Sequence, residues 1–286
     1  MDRTSELNLP PIARRTFVTT LVAGFTLAAG PVRADAIVTD ANGLDAGAVD
    51  ITVSDEKIPA YRAKPAGKSG ASVIIVVQEI FGVHEHIKDL CRRLAHSGYY
   101  AIAPSLYARY GDPGKYDMPH IMDLMKDVVA KVPDKEVMSD LDATVAFAKG
   151  EGAQTASLGI TGFCWGGRVV WLFAAHNPSL KAGVAWYGPL AGADNEIRPH
   201  TAIELAAQIK APVLGLYAGL DQNITAADRE AMMKALADAG NKKSTIEVFD
   251  DAQHGFNADY RPSYNAKDAK EGWARMLAWF KANGVG

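Results

Sequence analysis

From Val49 onward, apolar and polar positions fall into short strand-like runs and longer helix-like runs that alternate along the chain. Val49, Ile51 and Val53 alternate with polar neighbours, as does the stretch around Tyr61, which predicts an opening antiparallel hairpin. Ser72–Val77 is an unbroken Val/Ile run, the pattern of a strand buried on both faces. The spacing of apolar residues predicts a helix over His84–His96, stopped by Ser97-Gly98, then a buried strand over Tyr99–Ala103. Residues 105–120, rich in Tyr, Gly, Pro and Asp, read as a long irregular segment, a kind of loop that often carries function. Helices follow over Lys135–Lys149, Arg168–Ala175, Thr225–Gly240 and Lys267–Asn283. Strands are expected over Leu158–Thr161, Ala182–Trp186, Pro212–Tyr217 and Thr245–Phe249, with a Gly/Pro-rich loop reaching Pro199. Alternation of this kind builds an α/β domain with a mainly parallel sheet covered by helices on both faces.

The N-terminus departs from the pattern. Arg14-Arg15 precedes an uncharged, largely apolar stretch from Phe17 to about Val32, and Ala34-Asp35-Ala36 supplies small residues at a cleavage-like site. This is the layout of a twin-arginine export signal over residues 1–36, which leaves residues 37–286 as one domain. The apolar run is shorter than the roughly 20 residues that usually span a bilayer, so no stable membrane insertion is expected once the signal is removed. The expected location is the periplasm, the alternative being the cytoplasm.

Composition narrows the function. The 286 residues are 48% hydrophobic and 22% charged, with a formal charge of −3, which does not imply a nucleic-acid partner. Two cysteines, Cys91 and Cys164, cannot supply a disulfide framework or a Cys-rich zinc site. Cys91 falls on the apolar stripe of the helix at His84–His96 and reads as a small buried hydrophobe. No cofactor is implied, and no metal: at i and i+2 of a helix, His84 and His86 would point about 200° apart. His96, His120, His176 and His200 lack sequence partners and read as surface or structural.

The chemistry concentrates in Gly162-Phe163-Cys164-Trp165-Gly166-Gly167, between a predicted strand and a predicted helix. A G-x-nucleophile-x-G turn needs its glycines because strand and helix approach closely around a strained nucleophile, here Cys164. Asp221 follows the strand Pro212–Tyr217, and His254 follows Thr245–Phe249. Nucleophile, acid and His in that order, each at a strand's carboxyl end, is the chain order of an α/β-hydrolase. His254 would take or hold the thiol proton, and Asp221 would fix its tautomer. The loop Gln78-Glu79-Ile80-Phe81-Gly82 follows the strand Ser72–Val77, where this fold places a second oxyanion donor. The backbone N–H groups of Ile80 and Trp165 are the oxyanion-hole candidates, and Glu79 is a carboxylate beside the nucleophile.

Gln-Glu-Ile-Phe-Gly at 78–82, Tyr-Ala-Arg at 107–109, Gly-Phe-Cys-Trp-Gly-Gly at 162–167, Asp221 and His254-Gly255-Phe256 together resemble the dienelactone hydrolase (carboxymethylenebutenolidase) family, from about residue 45 to the C-terminus. The resemblance implies hydrolysis of dienelactone to maleylacetate or of a related lactone, with a small-molecule ester or lactone as partner. It also implies that Glu79 holds the thiol until substrate arrives, and that Arg109 binds a substrate carboxylate. The family's second substrate-binding Arg lies four residues after the His, where this chain has Ala258; Arg261, three residues further on, is the candidate to take its place. The alternatives are a general esterase, an acyl-thioester or peptide hydrolase of the same fold, and a non-enzymatic thiol sensor built on Cys164.

Overall fold

The structure, a computed structural model, describes residues 36–192 and 194–286. The export signal expected at the N-terminus lies, apart from Ala36, outside the described residues. One eight-stranded sheet organises the rest. Strands β1 (Leu44–Thr52) and β2 (Lys57–Pro65) form the expected hairpin, and β2 pairs antiparallel with β4 (Tyr100–Pro104). From β4 onward every pairing is parallel, through β3 (Ser72–Val77), β5 (Gln154–Phe163), β6 (Ala182–Trp186), β7 (Val213–Ala218) and β8 (Thr245–Phe249). The spatial order is β1-β2-β4-β3-β5-β6-β7-β8. The chain therefore leaves β3 to one side for β4 and returns on the other side as β5. Ligands of open α/β sheets bind at such a reversal, outside the carboxyl ends of the strands.

Helices α1 (Glu85–His96), α2 (Ile121–Asp127), α3 (Asp134–Gly150), α4 (Trp165–His176), α5 (Ala226–Asp238) and α6 (Ala266–Ala282) complete the fold. Every residue of β3, β4, β6 and β7 is buried, which requires cover on both faces and explains their unbroken apolar sequences. Helix α1 buries Ile87, Leu90, Cys91, Leu94 and Ala95 along one stripe and stops at Gly98, whose φ of 97° suits a residue without Cβ. Both cysteines are free, and burial pushes the Cys91 thiol pKa far up. Among the described residues no helix is long and apolar enough to cross a membrane.

Three local features differ from the pattern-based expectation. Helix α4 begins at Trp165 rather than Arg168, because Gly166 and Gly167, weak helix formers, are helical here. Strand β5 starts at Gln154, across a register shift between Ser72 and Val73 that alternation does not reveal. Helix α2 is too short to show a clear period.

Candidate functional site

The turn from β5 into α4 holds the proposed nucleophile. Cys164 has φ 54° and ψ −116°, a conformation costly for a residue with a Cβ and held by its surroundings. Its N–H donates to the Trp186 carbonyl at 3.0 Å, and its own carbonyl accepts from Gly167 N–H at 2.9 Å. A Cβ on Gly162 would stand 2.3 Å from the Gly166 carbonyl oxygen, and one on Gly166 would stand 2.5 Å from that of Gln78. Only glycine lets β5, α4 and the loop after β3 close on one another. Trp165 opens α4, so its N–H has no partner within the helix.

The structure brings Asp221 and His254 to this turn. Asp221 follows β7, and its Oδ1 accepts the N–H groups of Asn223 at 2.8 Å and Ile224 at 3.3 Å, which fix the carboxylate. Its Oδ2 accepts the His254 Nδ1–H at 2.7 Å. The His254 ring also meets the Cys164 side chain, both as hydrogen-bond partner and as charge. Burial alone would lower the His254 pKa, but the Asp221 carboxylate and Cys164 outweigh it and push it up to about 10. Tyr187, at φ 37° just after β6, sets its ring edge-on to His254 with centroids 5.1 Å apart. A strained aromatic packed on the His is a further part of the site, and its sequence context does not distinguish it from core.

Glu79 stands in the loop after β3 with a side chain fully out of water. Its Oε1 lies 3.2 Å from Arg261 Nη2, and its Oε2 accepts the Tyr260 hydroxyl. Burial would raise its pKa; the Arg261 guanidinium, with His84 and His86, overrides that and holds it well below the usual carboxylate range. Arg261 is itself buried, with its guanidinium carbon 4.9 Å from the Phe81 ring centroid and 5.4 Å from that of Tyr260. In this resting arrangement Arg261 therefore serves Glu79. Ile80 is buried directly after Glu79, on the same loop.

Arg109 is placed differently from its expected role. It meets Asp55 at 2.6 Å, Asp140 at 2.7 Å, Glu136 at 3.3 Å and Glu56 at 3.5 Å. Four carboxylates already surround this guanidinium, so its position does not support the expectation that it grips a substrate carboxylate. It ties the segment after β4 to α3 and to the β1–β2 turn. Tyr107 and Ala108 instead line a cavity of about 640 Å³, together with Gln78, Phe81, His84 and Lys115. The Tyr107 ring packs on Trp165 with centroids 4.9 Å apart and so joins that cavity wall to the nucleophile turn.

The expectation that His84 and His86 diverge is also corrected. The helix starts at Glu85, and His84 is its N-cap with ψ −178°, so both rings fall on one side. They stack with centroids 6.0 Å apart and interplanar angle 20°, and both face Tyr260. His86 Nδ1 meets Asp259 at 3.1 Å. Among the described residues no group of three His, Cys, Asp or Glu side chains could hold a metal ion.

The sequence profile described as the dienelactone hydrolase family matches residues 58–284. The chain belongs to the dienelactone hydrolase family. A Methylorubrum extorquens protein named, provisionally, a carboxymethylenebutenolidase is 56% identical over 277 residues, covering 96% of this chain and 94% of that protein. An Escherichia coli K12 protein with the same provisional name is 50% identical over 267 residues, covering 93% of this chain and 97% of its own length. Among solved structures, a provisionally named dienelactone hydrolase from Klebsiella pneumoniae is 51% identical with a TM-score of 0.80, covering 83% of this chain and 98% of its own. The protein is thus a dienelactone-hydrolase-type hydrolase with the α/β-hydrolase fold, a family whose substrates are small esters or lactones.

Proposed function

We propose that the protein cleaves a lactone or carboxylic ester through Cys164, with His254 as its proton carrier and Asp221 as the group that orients His254. The observation that carries this reading is the 2.7 Å contact between His254 Nδ1 and Asp221, on a ring whose other side meets Cys164. His254 takes the thiol proton and becomes an imidazolium held by Asp221. The thiolate attacks the carbonyl carbon, and the oxyanion receives the N–H groups of Trp165 and Ile80. As the C–O bond breaks, the leaving oxygen takes the proton from His254; in a lactone that oxygen stays tethered to the acyl chain. Water, deprotonated by His254, then attacks the thioester, and collapse of the second tetrahedral intermediate releases the acid and restores Cys164.

Arg261 neutralises Glu79 in the resting state, and its charge also reaches Cys164. A substrate carboxylate that draws Arg261 away would leave Glu79 a lone buried carboxylate, which takes up a proton. This supports an anionic lactone, dienelactone or a relative of it, with Arg261 rather than Arg109 as its anchor. The proposed location is the periplasm, reached through the Arg14-Arg15 signal.

The test is an activity screen of the mature protein on anionic lactones and neutral aryl esters, run beside Cys164→Ala. Turnover in wild type that vanishes in the variant is expected, and full activity in Cys164→Ala defeats the assignment. Fractionation of the wild type against a variant with Lys at positions 14 and 15 tests export, unchanged periplasmic protein being the adverse result.

A further inference from the structure

Glu79 cannot exchange a proton directly with water, since its side chain has no exposure. The groups around it decide whether another route exists. The Tyr260 hydroxyl and Arg261 guanidinium both touch it: Arg261 is buried, and the hydroxyl of the partly exposed Tyr260 is engaged on both sides, donating to Glu79 Oε2 and accepting from Arg261 Nε. His84 offers a route to the cavity. Its Nε2 is out of water and faces Glu79 Oε2 at 3.9 Å. The side chain as a whole is 26% exposed and forms part of the cavity wall. Nε2 is thus the sealed ring nitrogen, turned to the carboxylate, on a ring that also lines the cavity.

We propose that His84 is a proton relay, passing protons between the buried Glu79 carboxylate and water in the cavity. In uptake, Nδ1 takes a proton from water while Nε2–H gives one to the Glu79 carboxylate, which leaves the Nδ1–H tautomer. In release, the Glu79 carboxyl returns its proton to Nε2 while Nδ1–H gives one to water, which restores the first tautomer. The two steps balance, and the ring needs no turn between them. Demand for the relay arises when a ligand anion draws Arg261 off Glu79, because a lone buried carboxylate takes up a proton.

The surroundings suit the task. Phe81 and Tyr260 hold the ring edge-on, with centroids 6.2 and 4.8 Å away, and His86 stacks on it. The charged and titratable groups facing it are Glu79 from its own loop, His86 from α1, and Tyr260 and Arg261 from the segment after β8. Asp112 and Lys115 share the cavity wall from the segment after β4. Burial keeps His84 below its ordinary pKa despite the Glu79 charge, so the ring rests neutral, as a relay requires.

The relay's use in turnover rests on the hydrolase reading, and two experiments keep the questions apart. In the first, His84→Ala is assayed on a carboxylate-bearing aryl ester; kcat should fall by roughly 100-fold, with KM changed less than about twofold. Added imidazole should restore kcat saturably in the variant and leave wild type unchanged. Undiminished kcat, or a loss that imidazole does not restore, overturns the relay. The second needs no substrate. Arg261→Gln removes the cation that keeps Glu79 ionised, and the Glu79 carboxyl band is followed by infrared spectroscopy after a pH jump. Protonation should be about a hundred times slower in Arg261→Gln/His84→Ala than in Arg261→Gln, in line with the lower end of general acid–base effects, and imidazole should restore it. Equal rates overturn the proposal. A wild type that cleaves no ester defeats only the hydrolase reading, since the infrared comparison still decides the relay.

Discussion

Replacing Arg261 by Met keeps most of the side chain's bulk and removes its charge, which strands Glu79. The carboxylate has 0% side-chain exposure and the guanidinium 2%, so water cannot take the cation's place. Removing one partner of a buried pair costs about 3–5 kcal/mol. For a domain of this size that lowers Tm by roughly 6–20 °C. The pH dependence gives a sharper test than the magnitude. In wild type the Glu79 pKa is held below its ordinary 4.5, so its contribution is present above that value and is lost only as pH falls through the very low folded value. In Arg261→Met, burial acts with less opposition and the pKa rises above 4.5. Glu79 then contributes most below its unfolded value and loses that contribution as pH rises through the new folded value. Denaturant melts of both proteins at pH 5 and pH 8 should show a deficit that is larger at pH 8. Glu79→Gln/Arg261→Met should recover part of it at pH 8 and little at pH 5. A deficit under about 1 kcal/mol, or one equal at the two pH values, would refute the reasoning.

Iodoacetamide should label Cys164 and spare Cys91, which is wholly buried with its thiol pKa pushed far up; peptide mass spectrometry reads both sites. Asp221→Asn keeps the shape but removes the charge that holds the His254 imidazolium, and kcat should drop roughly 10³- to 10⁴-fold in ester assays. With the His254 pKa raised from 6.5 to about 10, its stabilising contribution is complete below 6.5 and is lost as pH rises through about 10. Denaturant melts should show that contribution falling away as pH rises from neutral toward 10. Arg109→Ala should lower stability by about 1–3 kcal/mol, leaving Asp140 short of its partner. It should affect anionic and neutral esters alike, and a selective loss on anionic substrates would return Arg109 to the binding site.

The meeting of Cys164, Asp221 and His254 was legible because Cys164 follows β5 directly and Asp221 and His254 stand in the loops after β7 and β8, so strand order brings these candidates to one edge of the sheet. Glu79 was legible for the same reason. Arg109 was not, because its partners Asp55, Glu136 and Asp140 lie 54, 27 and 31 positions away and no periodicity announces them. His84 read as part of a helix, and at helical spacing it points away from His86; one residue's shift in the helix start reverses that geometry. Tyr260 gave no signal beyond its place beside Arg261, because its role comes from meeting a carboxylate 181 positions earlier. Pattern reading located groups fixed by local geometry and missed those defined by a distant partner.

The pairing of Glu79 with Tyr260 and Arg261 also bears on how the chain is completed. Contacts that close so long a stretch of chain form late, after the entropy of closure has been met by other contacts. Until the segment beyond β8 docks, Glu79 has neither the guanidinium nor the hydroxyl that make its burial tolerable. The loop after β3 must then stay open to water, with the nucleophile turn uncovered on that side. During synthesis, which runs from the N-terminus, the residues that seal the centre are among the last to emerge. An incomplete chain can therefore form much of the sheet and still lack a closed reaction centre. The step that finishes the core is the same step that gives Glu79 its partners.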